Sequence, residues 1–283
     1  CARGGCTNEY IRLSRESNDA TVERVQMDET NDTGKLQDLT QKARTLGVAC
    51  LLGFGGYGLS ILWYTPYRVA ADSSTISPGY GPAMVMNDIA LGLAAITLGV
   101  IYLRYTGKGR DYVDLEIPDA RQTGFIIAGT LSLIAVLYTI NSLKSHLNVD
   151  ASQHAASQAV AAGEVDPQFV LLMIPLSFLL IGPAEEFIFR NLVQKRLYES
   201  FTKGSSVLIA SVIFSAIHIP AYSTGTTIGL VTSLATVFTL SVFLGGFYAV
   251  TEDLLIVAIM HGAYNAVIFG RWYLTTSGSP LPF

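Results

Sequence analysis

Charged residues are scarce in this chain. Asp, Glu, Lys and Arg make up only 14% of its 283 residues, whereas hydrophobic residues make up 50%. Soluble globular domains carry about 25% charged residues, so this composition excludes an ordinary water-soluble domain. The net charge of −4 says little by itself, and we expect no nucleic-acid partner.

Cysteine is also rare, and its three positions show no metal-ligand or redox spacing. Cys50 lies in a hydrophobic segment, where a small buried apolar side chain is the simplest interpretation. Residues 1–44 contain no apolar segment of the signal-peptide type. A polar stretch opens at Met27, and we therefore predict that residues 1–26 are upstream sequence or a poorly structured extension.

The long hydrophobic segments indicate a membrane protein. A spanning helix needs about 20 mostly apolar residues. Seven stretches approach that length: roughly 45–65, 83–104, 123–143, 168–189, 205–221, 227–249 and 253–271. We therefore predict an all-α, polytopic integral membrane bundle of about seven transmembrane helices over 45–283. A polar and largely disordered cytoplasmic tail over 1–44 precedes it.

The distribution of basic residues predicts an orientation in the cell membrane. Of the 18 Lys and Arg residues, only Arg68, Lys144 and Arg271 fall on one side of the predicted spans. Basic loops usually face the cytoplasm, so we expect a cytoplasmic N-terminus and an external C-terminus. An odd number of spans predicts the same arrangement.

Two adjacent carboxylates, Glu185 and Glu186, lie in the fourth hydrophobic stretch. Ionisable side chains inside a bilayer are costly and are usually kept there for function. Glu186 and Arg190 stand four residues apart and can pair on one helix face. Glu185 is then free to act as a general base on water. The alternative is a salt-bridged cluster near the cytoplasmic edge.

Two histidines lie in other hydrophobic stretches. His218 follows Phe214 by one helical turn, and His261 precedes Asn265 by one turn. An imidazole and a carboxamide on one helix face are suited to holding an oxyanion. A lone histidine can also bond a backbone carbonyl, but polar groups in three separate helices favour one shared site.

The remaining histidines, His146 and His154, lie in an external segment rich in Ala, Ser and Gln. No carboxylate stands beside them at metal-ligand spacing. We therefore expect both to be solvated surface residues.

The motifs Glu-Glu-x-x-x-Arg at 185–190, Phe-x-x-x-His at 214–218 and His-x-x-x-Asn at 261–265 occur in this order. Together they resemble the CAAX protease and bacteriocin-processing family of intramembrane proteases, which includes the type II CAAX prenyl endopeptidase. All three motifs match without departure, and the resemblance covers roughly 123–271. It implies a peptidase core there that depends on glutamate and needs no metal.

The resemblance also implies a role for each motif residue. Glu185 and His218 would activate a water molecule for attack on the scissile carbonyl. His261 and Asn265 would stabilise the tetrahedral oxyanion. The pair Glu186 and Arg190 would support these residues, and Phe214 would form a wall of the pocket.

Other hydrolase classes lack their signatures here. The sequence contains no His-Glu-x-x-His and no Gly-x-Ser-x-Gly, which disfavours a zincin and a serine hydrolase. A zinc site remains a minor alternative, because four side chains of the motifs are possible ligands: Glu185, Glu186, His218 and His261.

Two further functions compete with the peptidase. One is a non-catalytic membrane adaptor or immunity-type protein that keeps the motifs as structural contacts. The other is a proton-coupled transporter, which could use Asp88 in the second span, although no repeated half is visible. For a peptidase we expect a membrane-associated peptide or protein as substrate, and no residue shows whether it is prenylated.

Overall fold

The computed structural model describes residues 5–73 and 79–277, with side chains from residue 34 onward. All regular elements within these ranges are helical. Six helices there are long and apolar enough to cross a membrane. The chain is therefore a multi-pass helical membrane protein, as the sequence predicts.

The helices follow one another with short connections. In chain order they are α1 (Gly5–Ser73), α2 (Tyr80–Thr106), α3 (Ala120–His146), α4 (Ala155–Ala161), α5 (Pro167–Leu176), α6 (Gly182–Glu186), α7 (Lys195–Leu197), α8 (Lys203–Ile217), α9 (Ile219–Tyr222), α10 (Thr227–Thr251) and α11 (Leu254–Thr276). Helices α5, α6 and α7 are parts of one long span, Pro167–Leu197.

The fifth predicted stretch differs from the other six. Helix α8 has only 15 residues, or about 22 Å of length, which falls short of the roughly 30 Å of a bilayer core. It ends at His218, and the separate short helix α9, which contains Pro220, follows directly. Within residues 5–73 and 79–277, six of the seven predicted stretches lie in long helices and the remaining one is the short helix α8. The argument from an odd number of spans no longer holds, and the orientation of the termini stays a prediction.

The polar N-terminal segment is helical where the structure describes it. Helix α1 begins at Gly5, and no proline interrupts it before Pro66. The i,i+4 pair Asp38 and Lys42, 2.6 Å apart, supports helix in this polar part. The chain divides into two compact units, Cys1–Leu46 and Gly47–Phe283. The domain boundary at residue 44 stays a prediction, and residues 1–4 lie outside the described part of the chain.

Close contacts at glycine hold the helices of the larger unit together. A Cβ atom on Gly53 would lie 2.5 Å from Ile213, and one on Gly99 would lie 2.6 Å from Phe187. Lipid tails are as apolar as side chains, so membrane helices depend on such tight packing rather than on hydrophobic burial. These contacts fix α1 and α2 against α8 and the span that carries Glu185.

That span is not a regular α-helix. Two π-helical segments, Ser177–Ile181 and Phe187–Gln194, flank α6. Pro175 and Pro183 lie in this region, and proline has no N–H for the regular i→i−4 bond. Widened π turns are common at functional sites. Here they set the direction of the side chains at both ends of α6.

Candidate active site

Helices α6 and α11 cross at two glycines. A Cβ atom on Gly182 would lie 2.6 Å from the carbonyl oxygen of Ala258, and one on Gly262 would lie 2.9 Å from that of Ser177. Neither position has room for a side chain. This backbone contact brings the two glutamates of α6 against His261, the residue before Gly262.

Glu186 and Arg190 form the ion pair that their spacing predicts. The Nε atom of Arg190 donates to Oε2 of Glu186 at 2.8 Å, and both side chains are fully buried. The Nη2 atom of Arg190 also donates to Ser241 at 3.0 Å, and Ser241 donates to Ser211 at 3.1 Å. The guanidinium is therefore held by the span of Glu186 and, through Ser241, by α10.

His261 lies between the two carboxylates. Its Nδ1 atom is 2.7 Å from Oε1 of Glu186, and its Nε2 atom is 3.6 Å from Oε2 of Glu185. Glu186 therefore accepts hydrogen bonds from both Arg190 and His261. Because Glu186 is an acceptor, Nδ1 of His261 carries a hydrogen, and Nε2 is the ring nitrogen that faces Glu185.

His218 lies at the end of α8, and a hydrogen bond to the preceding turn decides which of its ring nitrogens carries the hydrogen. Its Nδ1 atom lies 2.8 Å from the carbonyl oxygen of Phe214. A carbonyl can only accept, so Nδ1 carries the hydrogen and Nε2 of the neutral ring keeps a free lone pair. His218 can therefore accept a proton through Nε2.

Phe214 connects the two histidines. Its ring centroid is 4.6 Å from that of His218 and 6.4 Å from that of His261. The Phe189 ring packs edge-on against Phe214 at 4.9 Å, and the Arg190 guanidinium lies 5.6 Å from its centroid. One aromatic wall therefore brings together residues of the span Pro167–Leu197, the end of α8 and α11.

The predicted stretches 168–189 and 205–221 run in opposite directions through the membrane, so they put Glu185 and His218 near opposite surfaces. The structure removes that conflict. The helix with Glu185 continues to Leu197, so Glu185 lies about midway along Pro167–Leu197. Helix α8 is short and breaks at His218. Both effects bring the two residues to similar depth.

Asn265 and Asp88 are less closely tied to this cluster. Asn265 is half-buried one turn after His261, and its side chain makes no hydrogen bond within the described residues. Asp88 of α2 is buried, and no donor faces its Oδ2 atom within the same part of the chain. It lies close enough to Glu185 for the two charges to interact. Asp88 thus faces the bundle interior.

Sequence reasoning missed His154 and Tyr222, which lie beside the site. The ring of His154 meets that of Tyr222 edge-on at 5.2 Å. Burial, and then the nearby charge of His218, lowers the pKa of His154 to about 4. Burial, and then the charge of Glu185, raises the pKa of Tyr222 to about 12. No spacing in the sequence connects these two residues, so no motif could have found them. His146, by contrast, is exposed as expected.

Within the described residues, no group of three or more His, Cys, Asp or Glu side chains is arranged to hold a metal ion. The geometry explains why Glu186 is a poor ligand. Its two oxygens already accept from Arg190 and His261.

Residues 167–267 match the family model described as Type II CAAX prenyl endopeptidase Rce1-like. Over these residues the chain is similar to the CAAX protease family. Comparisons with curated proteins and with solved structures gave no match. The CAAX protease segment begins at α5, later than the resemblance read from the sequence, and it contains all three motifs. The similarity is to a family of proteases, which are hydrolases, and the matched segment lies in a multi-pass membrane bundle.

Proposed function

We propose that the protein is a metal-independent intramembrane endopeptidase that cleaves a membrane-associated peptide or a prenylated protein. The observation that supports this best is the placement of His261 between Glu185 and Glu186. It provides a base, a hydrogen-bond donor and a fixed ion pair in one site. We also propose a cell-membrane location with the N-terminus in the cytoplasm.

The reaction begins with a water molecule between Glu185 and His218. Glu185 accepts a proton from this water, with His218 Nε2 holding the second hydrogen, and the oxygen attacks the scissile carbonyl carbon. The new C–O bond produces a tetrahedral oxyanion. Collapse of this intermediate breaks the C–N bond, and the proton on Glu185 passes to the leaving amine.

His261 changes its partner during this cycle. In the resting site the Nε2–H group of the charged imidazole faces the Glu185 carboxylate, 3.6 Å away. Once Glu185 has taken the proton from water, its negative charge is gone and this attraction is lost. The same N–H group, with the Asn265 carboxamide, then stabilises the oxyanion.

The Glu186–Arg190 pair keeps His261 in position. Glu186 holds Nδ1 of the imidazole, which leaves Nε2 as the group directed at the reacting atoms. Arg190 neutralises Glu186, so the charge of His261 is available to Glu185 and then to the oxyanion. Glu186 already accepts from Arg190 and His261, which supports a mechanism without zinc.

Cleavage of a mixed library of membrane peptides in detergent tests this function. Wild-type protein and His218→Ala are compared, each with and without a strong chelator. We expect the wild type to cleave in both conditions and the variant to cleave in neither. Loss of wild-type cleavage on chelation would replace the glutamate mechanism by a metal site. A folded wild type that cleaves nothing would favour the adaptor function.

Glycine at position 262 should be required for activity. The substitution Gly262→Ala places a methyl group 2.9 Å from the Ser177 carbonyl oxygen, so α11 must move away from the π-helical segment Ser177–Ile181 that leads into α6. A shift of about 1 Å in a catalytic group can cost about a hundredfold in rate, and we expect kcat/KM to fall by about that factor. Gly270→Ala is the matched control, because no atom lies within 4 Å of its added carbon. Equal activity of the two variants would contradict this role of the helix crossing.

A further inference from the structure

The segment before α4 is fixed to the beginning of α10. The N–H of Ser152 donates to the Gly229 carbonyl at 3.0 Å, and the Ser152 carbonyl accepts from Ser233 at 2.7 Å. The Gln153 carbonyl accepts from Thr224 at 2.7 Å. Three hydrogen bonds therefore hold the backbone directly in front of His154.

His154 has a defined orientation on this support. Its Nδ1 atom accepts the N–H of Ala156 at 3.1 Å and caps α4. In the neutral imidazole the hydrogen is then on Nε2. The ring meets Tyr222 edge-on, with an interplanar angle of 88°.

Tyr222 lies directly after the break that ends α8. Its N–H donates to the His218 carbonyl at 3.3 Å, and the N–H of Ala221 donates to the same oxygen at 3.0 Å. The turn that contains His218 is therefore continuous with Tyr222. A ring that holds Tyr222 in place also holds this turn.

We propose that His154 is a positioning residue for the reaction, because its ring braces Tyr222 and thereby the turn that directs His218 toward the attacked water. This inference rests on the proposed function for its kinetic consequence. His154 precedes the segment matched by the family model. The low pKa of His154 agrees with a ring that stays neutral while it packs against Tyr222.

Two substitutions at position 154 separate the ring from the helix cap. Asn is a good N-cap residue without an aromatic ring, whereas Phe keeps a ring and cannot accept the Ala156 N–H. We expect His154→Asn to lower kcat about tenfold with KM unchanged, since the loss comes from misorientation. His154→Phe should keep a kcat close to that of the wild type. His146→Asn, at the exposed histidine, is the control and should match the wild type.

Melting temperatures of the same variants distinguish positioning from general stability. Loss of the cap destabilises α4, so the Phe variant should melt lower than the Asn variant while it remains more active. A purely structural role would make the less stable variant the less active one. Wild-type kcat in His154→Asn, or an equal loss in His154→Phe, would overturn the proposal.

A double-mutant cycle and NMR spectroscopy complete the test. The kinetic effect of His154→Asn should disappear in a Tyr222→Leu background, because contacting residues are not additive. If the wild type cleaves no substrate, the proposed function fails. The effect on His218 through Tyr222 is still measurable then: the ring ¹⁵N signals of His218 should shift in His154→Asn and stay unchanged in His146→Asn.

Discussion

Replacing Glu185 by Gln should reduce kcat/KM by about 10³-fold or more, with the protein still folded. The substitution keeps the size of the side chain and removes the carboxylate that takes the proton from water. General acid–base catalysis of this kind contributes about 10²–10⁴-fold. The variant also cannot attract the charged Nε2–H group of His261, 3.6 Å away, so positioning is lost as well.

The measurement is initial cleavage rate against substrate concentration for both proteins at several pH values. Because the lost contacts act in the transition state, kcat should fall much more than KM rises. Glu164→Gln is the matched control, since Glu164 is exposed in the segment before α5. A Glu185→Gln enzyme within tenfold of the wild type would rule out Glu185 as the base.

Replacing Arg190 by Ala should destabilise the fold by about 3–5 kcal/mol. The change leaves Glu186 as a fully buried carboxylate without its guanidinium partner. Breaking a buried pair by removing one charge has that cost, because the remaining charge stays desolvated. Arg190 is itself fully buried, so its removal also leaves a cavity.

Unfolding of the variant in mixed micelles would measure this loss. Arg271→Ala, at an exposed arginine of α11, should be nearly neutral. The double variant Glu186→Gln with Arg190→Gln should recover part of the stability because no charge is stranded. It should remain inactive, since His261 then loses its charged support. Recovery of activity in the double variant would contradict the role proposed for the pair.

The sequence predicts the site through helical spacing, and this works where the side chains share one helix. Glu186 and Arg190 are four apart and pair as expected. The same reasoning leaves Glu185 without a partner, because neighbouring residues on a helix point about 100° apart. Yet both glutamates reach His261, because the imidazole offers one nitrogen to each. Spacing within one helix cannot reveal a partner on another.

Hydropathy alone also predicts poorly how deep a residue such as His218 lies in the membrane. The stretch containing His218 has the composition of a span, but a short break decides where the helix ends. His154 shows the same limit more strongly. Its Ala- and Ser-rich surroundings indicate a solvated segment, whereas three hydrogen bonds to residues far away in sequence hold the preceding backbone in place beside the site. Such contacts arise from the packing of whole helices.

The shortness of α8 limits which substrates can be reached. The helix starts at Lys203, which pairs with the exposed Glu252, so this end lies at the bilayer surface. Its 15 residues extend about 22 Å into a core of about 30 Å, which leaves His218 roughly 8 Å below the opposite surface. An extended peptide covers about 3.3 Å per residue. A substrate entering from that surface therefore needs two or three unfolded residues before its scissile bond, and a peptide that stays helical up to the membrane should resist cleavage.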